Sequence, residues 1–396
     1  MGAADSFCLR GGGKHRWIGS MTKDVSLRLI GEAPQRLWGM EMAEWQRRAW
    51  TKAGASGLDR DRGRLVLEAD RVLSPALQRA LLAEPGAALM VEEAGVRRLV
   101  ALHLPDGVTD DDALAAMVGQ DDPDAARLSD AGCRVGGVTD FAGDYDAALR
   151  KREAPYALSL GRAGTRAVEA RLFRGSYKGV TDLVTKYAWP WPAFHATRAC
   201  AVLGISPNTV TTASLVLVGV AFWLFWTGAW LPGIVAAWAM TFLDTVDGKL
   251  ARTTMSYSRW GDIYDHGIDL IHPPFWYWAI WQGVSAQPGG PAQGWLDAAL
   301  AVILAGYVLN RVEEGLFIKW FGFHIHVWRP LDSFAREITA RRNPNMVIFT
   351  VAVLLGAPGW GLVAVAGWTL FWLVFHAARL GQARAARGTV TSWMEG

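Results

Sequence analysis

Four aspartates at short, regular intervals are the residues of this chain best suited to carry out chemistry. Asp244 and Asp247 are three residues apart, and Asp265 and Asp269 are four residues apart. On helices these intervals place each pair on one face. Clustered carboxylates repel one another, whereas Mg²⁺ or Mn²⁺ binds carboxylate oxygens readily. We therefore predict that all four aspartates are metal ligands, and that they hold a divalent metal, Mg²⁺ or Mn²⁺, as two ions.

The residues beside the first aspartate pair point to a phosphate-containing ligand. Gly248 has no side chain and lets a bulky ligand approach the helix. Arg252 follows one turn later, and its guanidinium can form paired hydrogen bonds with phosphate oxygens. Two metal ions can polarise a diphosphate and stabilise its leaving group. The predicted chemistry is displacement at a phosphate.

The elements that must position these residues are apolar helices in the second half of the chain. The composition is 51% hydrophobic and 19% charged, and all but four of the 21 Trp lie beyond residue 188. Trp is favoured at membrane interfaces, where one ring edge is apolar and the other is hydrated. The apolar runs predict six transmembrane segments of about the ~20 residues that a bilayer requires. They cover residues 208–228, 231–251, 260–284, 295–320, 343–357 and 360–381.

The distribution of positive charge orients the predicted segments. The gaps near 229, 285–294 and 358 contain no Lys or Arg, whereas the opposite side of the bundle is rich in both. By the positive-inside rule, both termini and the aspartates face the cytoplasm. We predict a multi-pass protein of the inner (cytoplasmic) membrane. Cys8, Cys133 and Cys200 are far apart and predict neither a disulfide framework nor a metal site.

The first half of the chain has a different pattern. We predict a flexible tail over 1–21, a small soluble α/β domain over 22–158, an amphipathic juxtamembrane connector over 159–200 and a membrane domain over 201–388. In the α/β domain, apolar runs predict strands at 25–30, 64–67, 87–91 and 96–102 and helices at 40–53 and 74–82. In the connector, basic residues between apolar ones predict surface-lying helices at 163–173 and 177–187. The predicted fold class is an α-helical integral membrane protein preceded by this soluble domain.

The second and third predicted segments, 231–251 and 260–284, with the short loop that joins them are called the hairpin here, and their sequence resembles the signature of the CDP-alcohol phosphotransferase (CDP-alcohol phosphatidyltransferase) family. The family pattern is Asp, two residues, Asp-Gly, two residues, Ala-Arg, about eight residues, Gly, three residues, Asp, three residues, Asp. It is filled here by Asp244, Asp247, Gly248, Ala251, Arg252, Gly261, Asp265 and Asp269. A Pro-Asn-x-hydrophobic-Thr start to the first spanning helix is matched by Pro207, Asn208, Val210 and Thr211. The resemblance covers about residues 200–385.

The resemblance implies specific roles. Asp244, Asp247 and Asp265 would hold the metals, Asp269 would contribute and act as the general base, and Gly248, Ala251 and Arg252 would bind the CDP moiety. An acceptor hydroxyl would attack the β-phosphorus of a CDP-linked donor and release CMP, as in phospholipid biosynthesis.

The resemblance leaves the substrates open. CDP-diacylglycerol is the favoured donor, and a CDP-inositol-type donor with an inositol-phosphate acceptor is the alternative. The partners expected are the donor, the hydroxyl acceptor, the lipid bilayer and a second copy in a homodimer, without nucleic acid. A non-catalytic membrane scaffold or transporter is the alternative from another class, and the four intact aspartates argue against it.

The N-terminal domain resembles a sugar-phosphate nucleotidyltransferase domain. Bifunctional enzymes fuse such a domain, an inositol-phosphate cytidylyltransferase, to a membrane domain of this family. The active form needs a glycine-rich loop, and here the loop at 30–36 lacks the second glycine and carries Glu32, which would repel a triphosphate. We interpret this domain as degenerate, with a regulatory or structural role.

Overall fold

The computed structural model of the protein describes residues 25–59, 61–107, 111–146, 149–386 and 390–394. The predicted tail over 1–21 lies outside the described residues. The described chain begins with an α/β region and continues as a mostly helical region. The sequence analysis predicts the same arrangement, an α/β region followed by a helical one.

A six-stranded mixed sheet forms the centre of the α/β region. Its strand order is β4-β1-β5-β8-β7-β9, with β1 parallel to both β4 and β5 and with β8 antiparallel to β5 and β7. The four predicted strands are confirmed as β1, β5, β7 and β8. The strands are β1 Ser26–Ile30, β2 Arg36–Leu37, β3 Met40–Glu41, β4 Gly57–Leu58, β5 Leu65–Glu68, β6 Arg71–Leu73, β7 Ala87–Glu93, β8 Val96–His103, β9 Arg134–Gly136, β10 Tyr145–Asp146, β11 Lys151–Arg152 and β12 Ala157–Ser159.

Seven helices belong to the described α/β region and the first part of the connector. They are α1 Met42–Ala53, α2 Pro75–Ala83, α3 Asp111–Ala115, α4 Ala125–Asp130, α5 Val138–Phe141, α6 Leu160–Ala163 and α7 Thr165–Gly175. The predicted helices at 40–53 and 74–82 are confirmed as α1 and α2. Proline begins α2 at its first position, where no backbone N–H is needed.

The connector differs from its prediction after α7. The first predicted connector helix is confirmed as α7, but the second, at 177–187, is wrong. Only a π-helical turn over Val184–Ala188 forms there, and α8 follows at Pro190–Val202. Asp182 accepts hydrogen bonds from the backbone N–H groups of Val184 and Thr185, so it caps a new helical start instead of continuing an earlier helix.

Seven further helices build the C-terminal region, and each predicted span coincides with one of them. They are α9 Pro207–Trp226, α10 Trp230–Thr253, α11 Arg259–Ser285, α12 Gln293–Phe321, α13 Pro330–Ile338, α14 Arg342–Leu354 and α15 Pro358–Ala385, with a 3₁₀ turn at Ile325–Val327. By length and composition, three of the described helices, α9, α12 and α15, can cross a membrane. A count of six spans stays a prediction, because α10 and α11 carry the acidic residues of the hairpin and α14, with 13 residues, is shorter than a bilayer requires.

The α/β region and the helical region share one hydrophobic cluster. Trp38 and Trp45 of the α/β region are buried in the same cluster as Val246 and Leu250 of α10. The indole N–H of Trp45 donates a hydrogen bond to the carbonyl oxygen of Thr253, the last residue of α10, at 2.9 Å. The α/β region is thereby fixed against the aspartate-bearing end of the hairpin.

Candidate active site

A short link turns the chain between α10 and α11 and brings the two aspartate pairs together. Helix α10 ends at Thr253 and α11 begins at Arg259. Ser258 caps α11, and its side chain accepts a hydrogen bond from the N–H of Gly261 at 3.0 Å. Met255 lies in the left-handed region with φ of 53°, which helps the link reverse direction within a few residues. The hairpin therefore follows from a strong helix start placed soon after a helix end.

Three carboxylates form a compact cluster at this end of the hairpin. Oxygens of Asp244, Asp247 and Asp265 lie within 4.8 Å of one another. Asp247 is buried, and its Oδ2 accepts a hydrogen bond from the Thr211 hydroxyl at 2.6 Å. Among the described residues, nothing donates to its Oδ1. Buried polar atoms normally have partners, and a divalent cation among three carboxylates would supply one, so these residues fit a metal site.

Asp269 lies beside this cluster and is held by an arginine from a distant part of the chain. The Arg342 guanidinium donates one hydrogen bond to Asp269 Oδ1 and another to Asp244 Oδ2. The Asp269 side chain is 42% exposed, against 15% for Asp244. The structure thus brings the four predicted aspartates to one place. Three share the compact cluster, and the fourth is paired with Arg342 and more exposed than Asp244.

The residues predicted to bind CDP line a small pocket next to the aspartates. Gly248, Ala251 and Arg252 face residues from the start of α9 and α11 across a space of about 90 Å³. A Cβ added at Gly248 would lie 3.0 Å from Arg252 Nη2, and one added at Gly261 would lie 3.1 Å from Asn208 Oδ1. Both glycines therefore keep the pocket open to a ligand.

Three residues near the site had no individual role in the sequence analysis. Thr211 contacts Asp247, and its only signal was its place in the Pro-Asn-x-hydrophobic-Thr start of α9. Arg342 was visible only as one of several basic residues between two predicted spans. Lys249 is buried, donates to the Ser176 carbonyl at 3.1 Å and lies 3.2 Å from the Tyr177 ring centroid. No sequence signal identified these two contacts of Lys249, because they join α10 to the connector.

Two spaces of opposite character adjoin the hairpin. A polar cavity of about 150 Å³ is lined by Asp269 and Arg342 together with Arg336 and Asn345. In the described structure, Nη1 of Arg336 and Oδ1 of Asn345 are buried without hydrogen-bond partners. A largely apolar groove of about 610 Å³ runs between α9 and α11 and is lined by residues such as Phe222. The hairpin therefore has a polar cavity on one side and an apolar groove on the other.

The hairpin gathers four aspartates into an acidic site on a helical scaffold. Residues 204–378 match the family model for CDP-alcohol phosphatidyltransferases. The chain therefore carries a CDP-alcohol phosphatidyltransferase domain that contains all four aspartates.

Curated relatives are consistent with this assignment. A cholinephosphotransferase 1 from Homo sapiens is 28% identical over 140 residues, which is 33% of each chain. An ethanolaminephosphotransferase 1 from Mus musculus is 30% identical over 115 residues, 28% of each chain. A cholinephosphotransferase 1 from Danio rerio is 31% identical over 98 residues, 22% of this chain and 24% of the relative. The chain spans about a third or less of the length of the curated relatives it matches.

Proposed function

We propose that this protein is a membrane-embedded CDP-alcohol phosphotransferase. It transfers a phospho-alcohol group from a CDP-linked donor to a hydroxyl acceptor, releases CMP and acts in phospholipid biosynthesis. The observation that carries the proposal is the cluster of Asp244, Asp247 and Asp265, in which a buried carboxylate oxygen has no partner among the described residues. This cluster lies inside the region that matches the family model.

The first step is binding of the donor diphosphate at the hairpin. Asp244, Asp247 and Asp265 are the proposed metal ligands, with Asp269 contributing, and Mg²⁺ or Mn²⁺ as two ions would neutralise the diphosphate charge and stabilise the leaving phosphate. Thr211 orients Asp247 through its hydroxyl hydrogen bond. Gly248 and Ala251 leave room for the ligand, and Arg252 binds phosphate oxygens.

The second step is attack by the acceptor. Its hydroxyl oxygen forms a bond to the β-phosphorus, the bond between that phosphorus and the CMP oxygen breaks, and CMP leaves with the electron pair. Asp269 accepts the hydroxyl proton as general base. Arg342 holds Asp269 next to Asp244, which keeps the base beside the reacting phosphate.

The surroundings of the site support a lipid donor and a polar acceptor. The apolar groove between α9 and α11 suits acyl chains, so CDP-diacylglycerol is the proposed donor. The polar cavity beside Asp269 suits a water-soluble hydroxyl compound. We further propose an inner-membrane location with a cytoplasmic site. The homodimer, the domain boundaries and the degenerate nucleotidyltransferase-like domain remain predictions.

In a second candidate function, the alcohol on the CDP-linked donor is small and polar, and the acceptor is a lipid. The curated relatives are named for choline and ethanolamine, which favours a donor with a small polar alcohol on CDP. In that case the apolar groove would hold a lipid acceptor. A CDP-inositol donor with an inositol-phosphate acceptor would use the polar cavity instead.

CMP release by the purified full-length protein in detergent with Mg²⁺ or Mn²⁺ tests these proposals. CDP-diacylglycerol, CDP-choline, CDP-ethanolamine and CDP-inositol are each combined with soluble and lipid hydroxyl acceptors. We expect release only with CDP-diacylglycerol and a polar acceptor, and loss of release in Asp265→Asn. Release with CDP-choline and diacylglycerol would establish the second candidate. No release with any pair, together with no CMP binding, would favour the scaffold or transporter.

A further inference from the structure

A groove opens between α7, the turn that precedes α8 and the start of α8. It has a volume of about 500 Å³, and its lining includes Phe173, Arg174, Lys178, Lys186, Trp191 and Phe194. Three of these side chains are cationic and three are aromatic, and none of the described residues that line the groove is acidic. We call this space the connector groove. Its chemistry suits a ligand with an anionic part and an apolar part.

Two of the three cations in the connector groove have no acidic partner in the described structure. Lys186 pairs with Glu337 of α13. Arg174 and Lys178 are exposed, and no carboxylate of the described residues lies within ion-pair distance of either. A guanidinium forms paired hydrogen bonds with phosphate oxygens, and an ammonium adds a compact charge beside it. These two side chains are therefore available to a phosphate group.

The connector also lacks free acidic residues that would neutralise this groove. Residues 159–200 contain seven Lys or Arg and only two acidic residues, Glu169 and Asp182. Glu169 is buried and accepts hydrogen bonds from the Trp38 N–H and from Arg198. Asp182 is buried and caps the turn that follows it. Basic clusters beside a spanning helix attract anionic lipid headgroups, so the excess of positive charge favours such a lipid.

The groove adjoins a surface suited to the bilayer interface. Trp191, which lines the groove, is 75% exposed, and Tyr187, four residues earlier, is 67% exposed. At the other end of α8, Leu203 is 72% exposed. Helix α9, which can cross a membrane, begins at Pro207. Because exposed Trp and Tyr are favoured where headgroups meet acyl chains, a membrane lipid is the ligand that reaches this groove.

The size and lining of the groove favour an anionic headgroup over a zwitterionic one. A volume of about 500 Å³ lies within the range of about 300–1,000 Å³ that is usual for small-molecule sites. The rings of Phe173 and Phe194, with centroids 5.3 Å apart, join the walls from α7 and α8. A zwitterionic headgroup would bring its own cation next to Arg174 and Lys178. The apolar groove between α9 and α11 has no Lys or Arg among its described lining residues, so it lacks this preference.

We propose that the connector groove binds the headgroup of an anionic phospholipid from the surrounding bilayer. The lipid phosphate lies between Arg174 and Lys178, and the acyl chains leave past Trp191. This lipid is a partner and not a substrate, because the groove shares no described lining residue with the nucleotide pocket or the polar cavity. The inference goes beyond the proposed function and holds for any CDP-linked donor.

Lipid binding to the purified full-length protein tests this site without any nucleotide. Native mass spectrometry compares phosphatidylglycerol with phosphatidylcholine of the same acyl chains, each added to protein stripped of lipid in detergent. We expect phosphatidylglycerol to bind at least about fivefold more tightly. Arg174→Gln and Lys178→Gln should each weaken its binding by about fivefold, the usual effect of one basic residue near an anionic headgroup. Arg384→Gln removes an exposed charge at the end of α15 and is the matched control, which should bind as the wild type does.

A substitution that fills the groove without changing its charge separates a defined site from diffuse attraction. Ala170 lines the groove, whereas Ala167 is exposed on the same helix and is absent from the lining. We expect Ala170→Trp to weaken phosphatidylglycerol binding by at least about fivefold and Ala167→Trp to leave it unchanged.

Three results would each contradict the inference. They are wild-type lipid binding by folded Ala170→Trp protein, equal binding of the two lipids by the wild type, and displacement of phosphatidylglycerol by millimolar inorganic phosphate. The last result would identify a site for free phosphate instead of a lipid. None of them bears on CMP release, so the proposed function stands or fails separately.

Discussion

Two clusters of charged residues in this protein differ in how completely their members are paired by hydrogen bonds. In the α/β region, buried Arg71 donates to Glu68 at 2.6 Å and to both oxygens of Glu93 at 2.5 and 2.8 Å. Arg98 donates to the other oxygen of Glu68. At the hairpin, Arg342 donates to two of the four carboxylates, Asp269 and Asp244, and Asp247 Oδ1 has no partner in the described structure.

This difference in pairing distinguishes a structural cluster from a proposed functional one. Charges that are buried with complete hydrogen bonding stabilise one arrangement of the chain, since removal of one partner leaves the other uncompensated. Carboxylates gathered without enough partners cost stability and persist where a ligand completes them. The following four predictions test this contrast, in order of decreasing expected effect.

Asp265→Asn is expected to lower the rate of CMP release by at least about 10³-fold, because it removes one of three clustered ligands for the charge-stabilising metals. The melting temperature should not fall, since the change also relieves carboxylate repulsion. Asp297→Asn, an exposed aspartate on α12, is the matched control and should retain activity. Full activity in Asp265→Asn would place the chemistry elsewhere.

Arg71→Met is expected to lower the free energy of unfolding by about 3–5 kcal/mol, because Glu68 and Glu93 lose a buried partner. Thermal unfolding followed by Trp fluorescence measures the change. Arg47→Met removes an exposed, solvent-screened pair with Glu44 on α1 and should lower the free energy of unfolding far less than Arg71→Met does. Similar losses for the two variants would contradict the structural assignment of the Arg71 cluster.

Thr211→Val is expected to lower metal affinity or the rate of transfer by about 10–100-fold, because Asp247 loses the hydroxyl that orients it. The neighbouring Thr212→Val is the matched control, since the Thr212 hydroxyl donates to the Asn208 carbonyl. Titration of activity with Mn²⁺ compares the two. Equal behaviour of both variants would show that Thr211 does not position the cluster.

His103 is expected to give a smaller, pH-dependent effect in the α/β region. Burial lowers the pKa of His103 below its usual value, although Nδ1 lies 2.8 Å from the Leu81 carbonyl oxygen. Below about pH 6.5 the unfolded chain binds a proton more readily than the folded one, so stability should fall as the pH decreases. His103→Gln should weaken this dependence in melting temperatures measured between pH 5 and 7. An unchanged slope would mean that other groups cause it.

Local pattern was enough to predict much of the fold. Strand and helix periodicity located the four central strands, α1 and α2, and each predicted span coincides with a helix. The second connector helix, predicted at 177–187, was wrong because helical periodicity takes no account of Asp182. The capping hydrogen bonds of Asp182 begin a new turn at Val184. Close approach of Gly179 to the backbone at Arg150 further fixes this segment, and no local signal reports that contact.

The candidate site was predictable only where its residues are neighbours in sequence. Spacing alone brought the aspartates of each pair together, and the short link joined the pairs. Arg342 lies 98 residues beyond Asp244 and 73 beyond Asp269, so only the packing of α14 brings it to them. The contact between Trp45 of α1 and Thr253 at the end of α10 likewise depends on how the α/β region packs against the hairpin, which periodicity does not encode.

The hydrogen bond from Trp45 to Thr253 has a consequence for biogenesis. The two residues are 208 positions apart, and the ribosome adds about 5–20 residues each second. The apolar surface formed by Trp38 and by Trp45 of α1 is therefore translated some 10–40 seconds before the helix that covers it. During this interval the nascent chain exposes a tryptophan-rich surface, and its burial against α10 has to come before aggregation.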